Sequence, residues 1–537
     1  MVAMVGRARL GLVAGVALAT LATGVLPGGA QEGGGAAGAP SVTAAVQVTD
    51  NVDPNRAHTS PQIAVNPKTG EIVIGSAEVR TKKTCDIHIS VDGGRTWFAG
   101  GDPMVRPFTD CSQQATNGPY ITFQFTPDGV LFAAFMASDP KYQTLNNRID
   151  TPRHVFVARS ENSGRTWRTT MAVEGKEGDP GIGNSRRAQI GVDPRDGRTV
   201  YVGWQKGAAS GTARRGHLAI SRDGGQTFGE PMDMGDQRGS GQPRPVVDKN
   251  GVVHLLFAAD GFRPPGSTGD PELRPLIYRR SGDGGRTWSP IKEIEPGNGG
   301  FAFMRKQMLA VDLETGNLYA TWYGNPNPRA RRPPANQPSS DAFDDRDIYI
   351  RVSTDRGATW SDARALNDDI SRPNIQHYDS GIAVAPNGRL DAAWYDFRNS
   401  PVPESEQSGG NGGGANDVYF TFSTDAGTTF APNVRVTDRI IDRTIGLFSN
   451  NVHSHTNVGV ASTDEAAYIA WQDTRNGDAT LQAEDIYFAA VRFPAEADDE
   501  DGVPGWVLVA ASAAIGMGVT IVLALFIARN RRPLPGA

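Results

Sequence analysis

The stretch SVDGGRTW, Ser90 to Trp97, decides the fold, because the chain writes it five more times: SENSGRTW (Ser160 to Trp167), SRDGGQTF (Ser221 to Phe228), SGDGGRTW (Ser281 to Trp288), STDRGATW (Ser353 to Trp360) and STDAGTTF (Ser423 to Phe430). In S-x-D-x-G-x-T-W the aspartate side chain accepts backbone N–H bonds across a turn, glycine relieves crowding, and threonine and the aromatic start the next strand. Asn162 suits the same Asx-type turn, and Phe228 and Phe430 replace tryptophan as the apolar plug. Six copies cannot all surround one reaction, so the phrase reads as scaffold, with Asp92, Asn162, Asp223, Asp283, Asp355 and Asp425 as its turn residues.

Upstream of each copy lies a hairpin of two short apolar strands around a Gly, Asp or Asn turn, for example IAVNPKTGEIVIGSA from Ile63 and IAVAPNGRLDAAW from Ile382. Seven such hairpins align on Val65, Phe125, Val192, Val247, Val311, Val384 and Val460. A third strand (DIHIS, HVFVARS, DIYIRVS) runs straight into the phrase, and a fourth leaves it. Four antiparallel strands repeated about every 60 residues predict an all-β, seven-bladed β-propeller with a six-bladed ring as the alternative. Unit seven has a third strand, EDIYFAAV, but no phrase after it. VTAAVQVTD (Val42 to Asp50) is similar to NVRVTDR of unit six, so it is expected to complete blade seven and clasp the two ends of the domain.

The termini read differently. MVGRAR, the apolar run LGLVAGVALATLATGVL and the small residues of PGGA predict a signal peptide over 1–30, followed by a flexible linker over 31–41. The propeller spans 42–493 and an acidic linker 494–504. Gly505 to Ala528 carries no charge over 24 residues, enough to span a bilayer core as a transmembrane helix. Arg529, Arg531 and Arg532 in the tail 529–537 keep that end cytoplasmic. The expectation is a single-pass protein of the cell membrane with its N-terminal domain outside. The net charge of −6 and the lack of a concentrated basic patch argue against nucleic acid as a partner. In an exported chain the two cysteines, Cys85 and Cys111, are a disulfide candidate, and their number and spacing do not suggest a metal site. No cofactor is expected.

The phrase resembles the Asp box, or BNR repeat, of sialidase-like propellers, and the resemblance covers Val42 to about Phe493. It implies that the site lies on the face opposite the Asp boxes, built from loops between blades and between second and third strands. Arg56, Arg187, Arg244 and Arg305 fall just before first strands, where converging guanidinium groups would suit a sugar carboxylate; the alternative is that they are solvated loop residues or bridge neighbouring blades. His58, His377 and His453 each lie seven positions before their unit's aligned valine, in units that a closed ring makes neighbours. Trp394, Asp396 and Arg398 in WYDFRN match Trp471, Asp473 and Arg475 in WQDTRN, as either a repeated brace or a shared pocket. Sialidases use a tyrosine nucleophile with an acid/base aspartate, for which Tyr378 or Tyr395, and Asp379 or Asp396, are the candidates. The Arg-Ile-Pro motif of true sialidases is missing, with DPNRAHTSPQIAV in its place. Two functions follow: a surface propeller that recognises an extracellular glycan, envelope polymer or protein ligand, and an exo-α-sialidase-type glycoside hydrolase.

Overall fold

The computed structural model describes residues 39–80, 84–108, 121–138, 153–175, 186–206, 214–235, 241–258, 275–295, 307–324, 346–369, 375–401, 414–446 and 457–494. The segment 1–30 expected to be a signal peptide, the apolar segment 505–528, Cys111, Arg305 and His453 lie outside them. Among the described residues there is no α-helix, and none long and apolar enough to cross a membrane. Cys85 is disulfide-bonded.

The strands form seven antiparallel sheets. Blade one runs His58–Val65, Ile72–Glu78, Cys85–Ser90 and Phe98–Ala99 from the inside outward. Blades two to six repeat that order, and the first strands of successive blades lie against one another right round the ring, blade seven against blade one included. Each junction between neighbouring sheets holds its own apolar cluster. Trp471, Tyr395, Phe397 and Phe420 fill the one between blades six and seven; Ile72, Ile74, Tyr468 and Phe488 fill the one between seven and one. Seven sheets with seven apolar wedges between them make the core a ring rather than a ball.

Blade seven is closed by the start of the chain. Its third strand, Asp485–Arg492, pairs on its outer edge with Ser41–Val42 (Ser41 opposite Arg492) and with Val46–Gln47 (Gln47 opposite Tyr487). Val48 N donates to Ile486 O at 2.8 Å and Thr43 N to Ala490 O at 2.9 Å, so the last sheet presents no unpaired edge there.

The six phrases fold alike. Ser90 Oγ donates to Asp92 Oδ1 at 2.8 Å and accepts from Gly94 N at 2.9 Å. Asp92 accepts the N–H groups of Arg95 and Thr96, and the Thr96 hydroxyl donates to its other oxygen at 2.6 Å. Those donors, Thr96 first, hold the Asp92 carboxyl down at about 2. Asn162 keeps the pattern by donating to Thr166 Oγ1 at 2.9 Å and accepting its N–H at 2.9 Å. Each closing aromatic then packs into the junction with the preceding blade; Trp97 meets Phe488 edge-on with centroids 5.2 Å apart.

Gly94 sits at φ 90°, and a Cβ there would lie 2.0 Å from Phe488. Gly224, the matching turn position one residue earlier in blade three, also has positive φ but open space around it. Gly224→Ala should therefore show backbone strain alone, about 1 kcal/mol. Gly94→Ala should add roughly 1–3 kcal/mol of overpacking at the ring closure. Equal losses in urea denaturation would show that the Phe488 contact yields without penalty.

Candidate functional site

Register fixes which face is which. Val65 pairs with Ile72, and Ile72 with Ser90, so the first hairpin turn and the repeated phrase of a blade share one face, hereafter the turn face. His58 pairs with Glu78 at the other end, the loop face. Every stretch of 42–493 outside the described residues falls between a second and third strand or between two blades.

On the loop face, blades one and six begin alike. His58–Thr59–Ser60 and His377–Tyr378–Asp379 each open the innermost strand, and each is followed by a register shift, between Thr59 and Gln62 and between Tyr378 and Gly381. Ser60 and Asp379 both hold φ 56°, a left-handed conformation that costs a non-glycine residue free energy and clusters at functional sites.

His377 is 1 % exposed and lies inside an ionic lattice. Its Nδ1 sits 2.6 Å from the Arg346 carbonyl, to which a protonated Nδ1 donates. Nε2 lies 3.1 Å from Asp369 Oδ1 and 3.4 Å from Asp396 Oδ2, and Asp347 approaches Nδ1 at 3.7 Å. Burial opposes the imidazolium charge, but Asp396 and Asp369 outweigh it and hold the pKa well above the ordinary value of 6.5. Burial likewise opposes the Asp396 carboxylate, and His377 and Arg398 outweigh it, leaving that group far below the usual range.

Asp396 is fully buried and also accepts from Trp394 Nε1 at 3.0 Å and from Arg398 Nε at 3.0 Å. Arg398 stacks over Tyr419, 4.1 Å from the ring centre, and reaches Asp368 of blade five at 2.6 Å. Blade seven repeats this group by group. Trp471 Nε1 donates to Asp473 at 3.0 Å; Arg475 bonds Asp473 at 2.8 Å, stacks over Tyr487 at 4.1 Å and reaches Asp438 of blade six at 2.8 Å. Of the two sequence readings, the geometry is that of the brace: each Trp-Asp-Arg set ties a second strand to the outer edge of the preceding blade.

The remaining candidates fall as follows. Tyr378 is 5 % exposed, edge-on to Tyr323 and Phe397, with Arg346 5.0 Å above its ring. Tyr395 is 1 % exposed and its hydroxyl accepts the Gln472 N–H at 2.9 Å, while burial raises its pKa. Arg56 forms a bidentate pair with Asp485 of blade seven, Nε to Oδ1 and Nη2 to Oδ2 both at 2.7 Å, so its fork already holds a carboxylate of the protein. Arg244 opens the first strand of blade four and is half-buried. Arg187 lies within Arg186–Val192 of blade three. His58 is 1 % exposed, 3.4 Å from Asp86. Burial there outweighs Asp86 and Asp485 and lowers its pKa, opposite to His377. The difference has a local cause: Glu78, which stands where Asp396 stands in blade six, accepts the backbone N–H groups of Ala57 and Arg80 at 3.1 and 3.0 Å rather than the imidazole.

Asp369, His377 and Asp396 place one donor atom each within 4.8 Å of one another, a set chemically able to hold a divalent ion. Arg398, 2.8 Å from Asp396 and 3.5 Å from Asp369, already supplies positive charge at that point. The sequence reading missed Asp369, Asp347 and Arg346. The signal that locates them is the run Leu366-Asn367-Asp368, which lies on blade five where Val436-Thr437-Asp438 lies on blade six. Asn367 Nδ2 donates to Asp347 at 2.8 Å as Thr437 Oγ1 donates to Asp417 at 2.7 Å.

A histidine whose folded pKa is raised stabilises fully below its unfolded value, and that contribution fades as pH rises through the folded value; a depressed aspartate stabilises only above its own unfolded value. The stability difference between the parent and His377→Gln should be largest between about pH 4 and 6.5 and shrink at alkaline pH. A difference that grew with pH would mean a neutral imidazole.

No protein-family model matches the sequence, and no curated protein matches it. Among solved structures the chain is similar to the Hadza microbial sialidase Hz136, at 14 % identity and TM-score 0.42 over 77 % of this chain and 74 % of that one. It is similar to a protein of unknown function from Dyadobacter fermentans, at 14 % and 0.44 over 85 % and 99 %. It is also similar to the α-L-arabinanase of Penicillium chrysogenum, at 10 % and 0.42 over 84 % and 99 %.

Proposed function

We propose that this chain is a surface propeller of the sialidase-like, Asp-box type, held to the cell membrane by its C-terminal apolar segment, that recognises an extracellular glycan or envelope polymer with its loop face. The hydrogen bonding of the six turns supports the Asp-box reading. One observation carries the choice of recognition over hydrolysis: the groups a sialidase-type reaction would draw on are built into the scaffold. Tyr378 and Tyr395 are buried, Asp396 is sealed in its brace, and the Arg56 fork is closed on Asp485. A nucleophile and a carboxylate anchor need access to substrate.

The hydrolytic alternative rests on Asp379, strained at φ 56° on the loop face beside Tyr378. The test exposes the detergent-solubilised full chain to an array of acidic and neutral glycans and to fluorogenic sialoside and arabinofuranoside. Recognition without turnover is the expected result. Turnover that Asp379→Asn abolishes would establish the hydrolase instead, and neither binding nor turnover would overturn both readings.

A further inference from the structure

We infer that the turn face is laid against the membrane, with an arginine groove between blades two and three seated on anionic lipid headgroups, so that the loop face points outward. This rests on the proposed membrane anchor.

The third strand of blade seven starts at Asp485, opposite Asp473, and ends at Arg492, opposite Ala466. Ala466 follows directly on the first hairpin turn of that blade, so the chain leaves the ring on the turn face. Ser41 pairs with Arg492, so it also enters there. Eleven residues, 494 to 504, then separate Phe493, the residue after the last strand, from the uncharged segment that begins at Gly505. Fully extended they span about 36 Å. Turning the loop face to the membrane would use about 26 Å of that to climb one eight-residue strand, before any loop is cleared. Leaving by the turn face requires no climb.

The same face carries the matching charge at one place. At five other junctions an arginine stitches neighbouring turns together: Arg165 to Glu71, Arg222 to Gly284 O, Arg280 to Arg356 O, Arg364 to Thr428 O, and Arg389 to Thr463 O. Between blades two and three the arginines instead line a groove of about 470 Å³, with Arg159 and Arg168 on one wall and Arg198 on the other, beside Thr170, Gly224 and Gln226. Arg159 is paired with Glu161. Arg168 and Arg198 are exposed, and among the described residues no hydrogen bond occupies either side chain. The one carboxylate among the lining residues, Asp223, is engaged by Ser221, Gln226 N and Thr227; of the two beside Gly197, Asp128 is engaged by Thr126 and Asp196 by Thr199 and the Arg198 N–H. Glu161 also attracts Arg168 without a hydrogen bond, and exposed guanidinium forks on a face held near a bilayer suit phosphate oxygens, which they bind bidentately.

The test uses the full chain reconstituted into vesicles of phosphatidylcholine, with or without phosphatidylglycerol, each doped with a headgroup nitroxide. A fluorophore is placed on Gln226→Cys, in the groove, or on Val52→Cys, 89 % exposed on the loop face; the bonded Cys85 does not compete for it. Quenching at 226 should exceed that at 52 several-fold, rise with phosphatidylglycerol, and lose that rise in an Arg168→Glu, Arg198→Glu variant or in high salt. Equal quenching at both positions in chains that stay with the vesicles after alkaline extraction would overturn the orientation while leaving the anchor intact. Release by extraction would overturn the anchor itself. An orientation that ignores both lipid charge and the double variant would overturn the groove's role.

Discussion

Replacing Asp396 by alanine is expected to lower the unfolding free energy by about 3–5 kcal/mol, the loss typical when one member of a buried ion network is removed and its partners stay behind. The aspartate is the only group that meets the His377 imidazolium, the Arg398 guanidinium and the Trp394 indole N–H at once. Without it two cations remain in low dielectric, answered by Asp369, the more distant Asp347 and the half-exposed Asp368, and an indole donor loses its acceptor. Asp368→Ala is the control. That side chain is 46 % exposed, so its pair with Arg398 is screened by solvent and its removal should change stability by no more than about 1 kcal/mol. Urea denaturation of both variants decides the matter, and comparable losses would show that the brace is no more than a surface pair.

Removing residues 39–49 should have a still larger effect. It strips the third strand of blade seven of its outer partner and takes away buried Val48 and the Thr49 hydroxyl that donates to Asp485 at 3.0 Å. The bare strand edge is a template for association with other chains. We expect no cooperative melting and concentration-dependent aggregation. Starting the ring at residue 51, and appending residues 40–50 after residue 493 through a copy of the Thr424 to Phe430 turn, should restore melting. Failure of that rearranged chain to fold, with the truncation itself folding normally, would mean that the clasp is incidental.

These two sites also mark what a reader of the sequence could and could not see. The hairpins and the turn phrase are local, with the hydrogen bonds that shape each turn closing within a few residues, so seven blades and the completing strand at Val42 to Asp50 were legible from repetition alone. Trp394, Asp396 and Arg398 were legible as a repeated group but not as a brace, because Asp368 and Asp438, which complete the two copies, come from the preceding blade. Arg56 had the residue type and position of a ligand anchor; its carboxylate lies 429 positions away and meets it only because the ring closes. The charge on His377 was hidden for a similar reason. His58 shares its register and has Asp86 nearby, yet the carboxylate paired across from it, Glu78, is engaged by backbone N–H groups where Asp396 faces the imidazole of His377, a distinction that lives in Glu78 and Asp396 rather than in the histidines.

The closing strand of blade seven has a mechanical consequence. It is flanked on one side by Ala466–Asp473 and on the other by the two N-terminal segments, and it runs directly into residue 493. A pull on residue 493 along the axis of that strand loads both flanking ladders in shear, with many hydrogen bonds sharing the force, rather than peeling them one by one. A force along that axis would be shared across the seam where the two ends of the ring are joined.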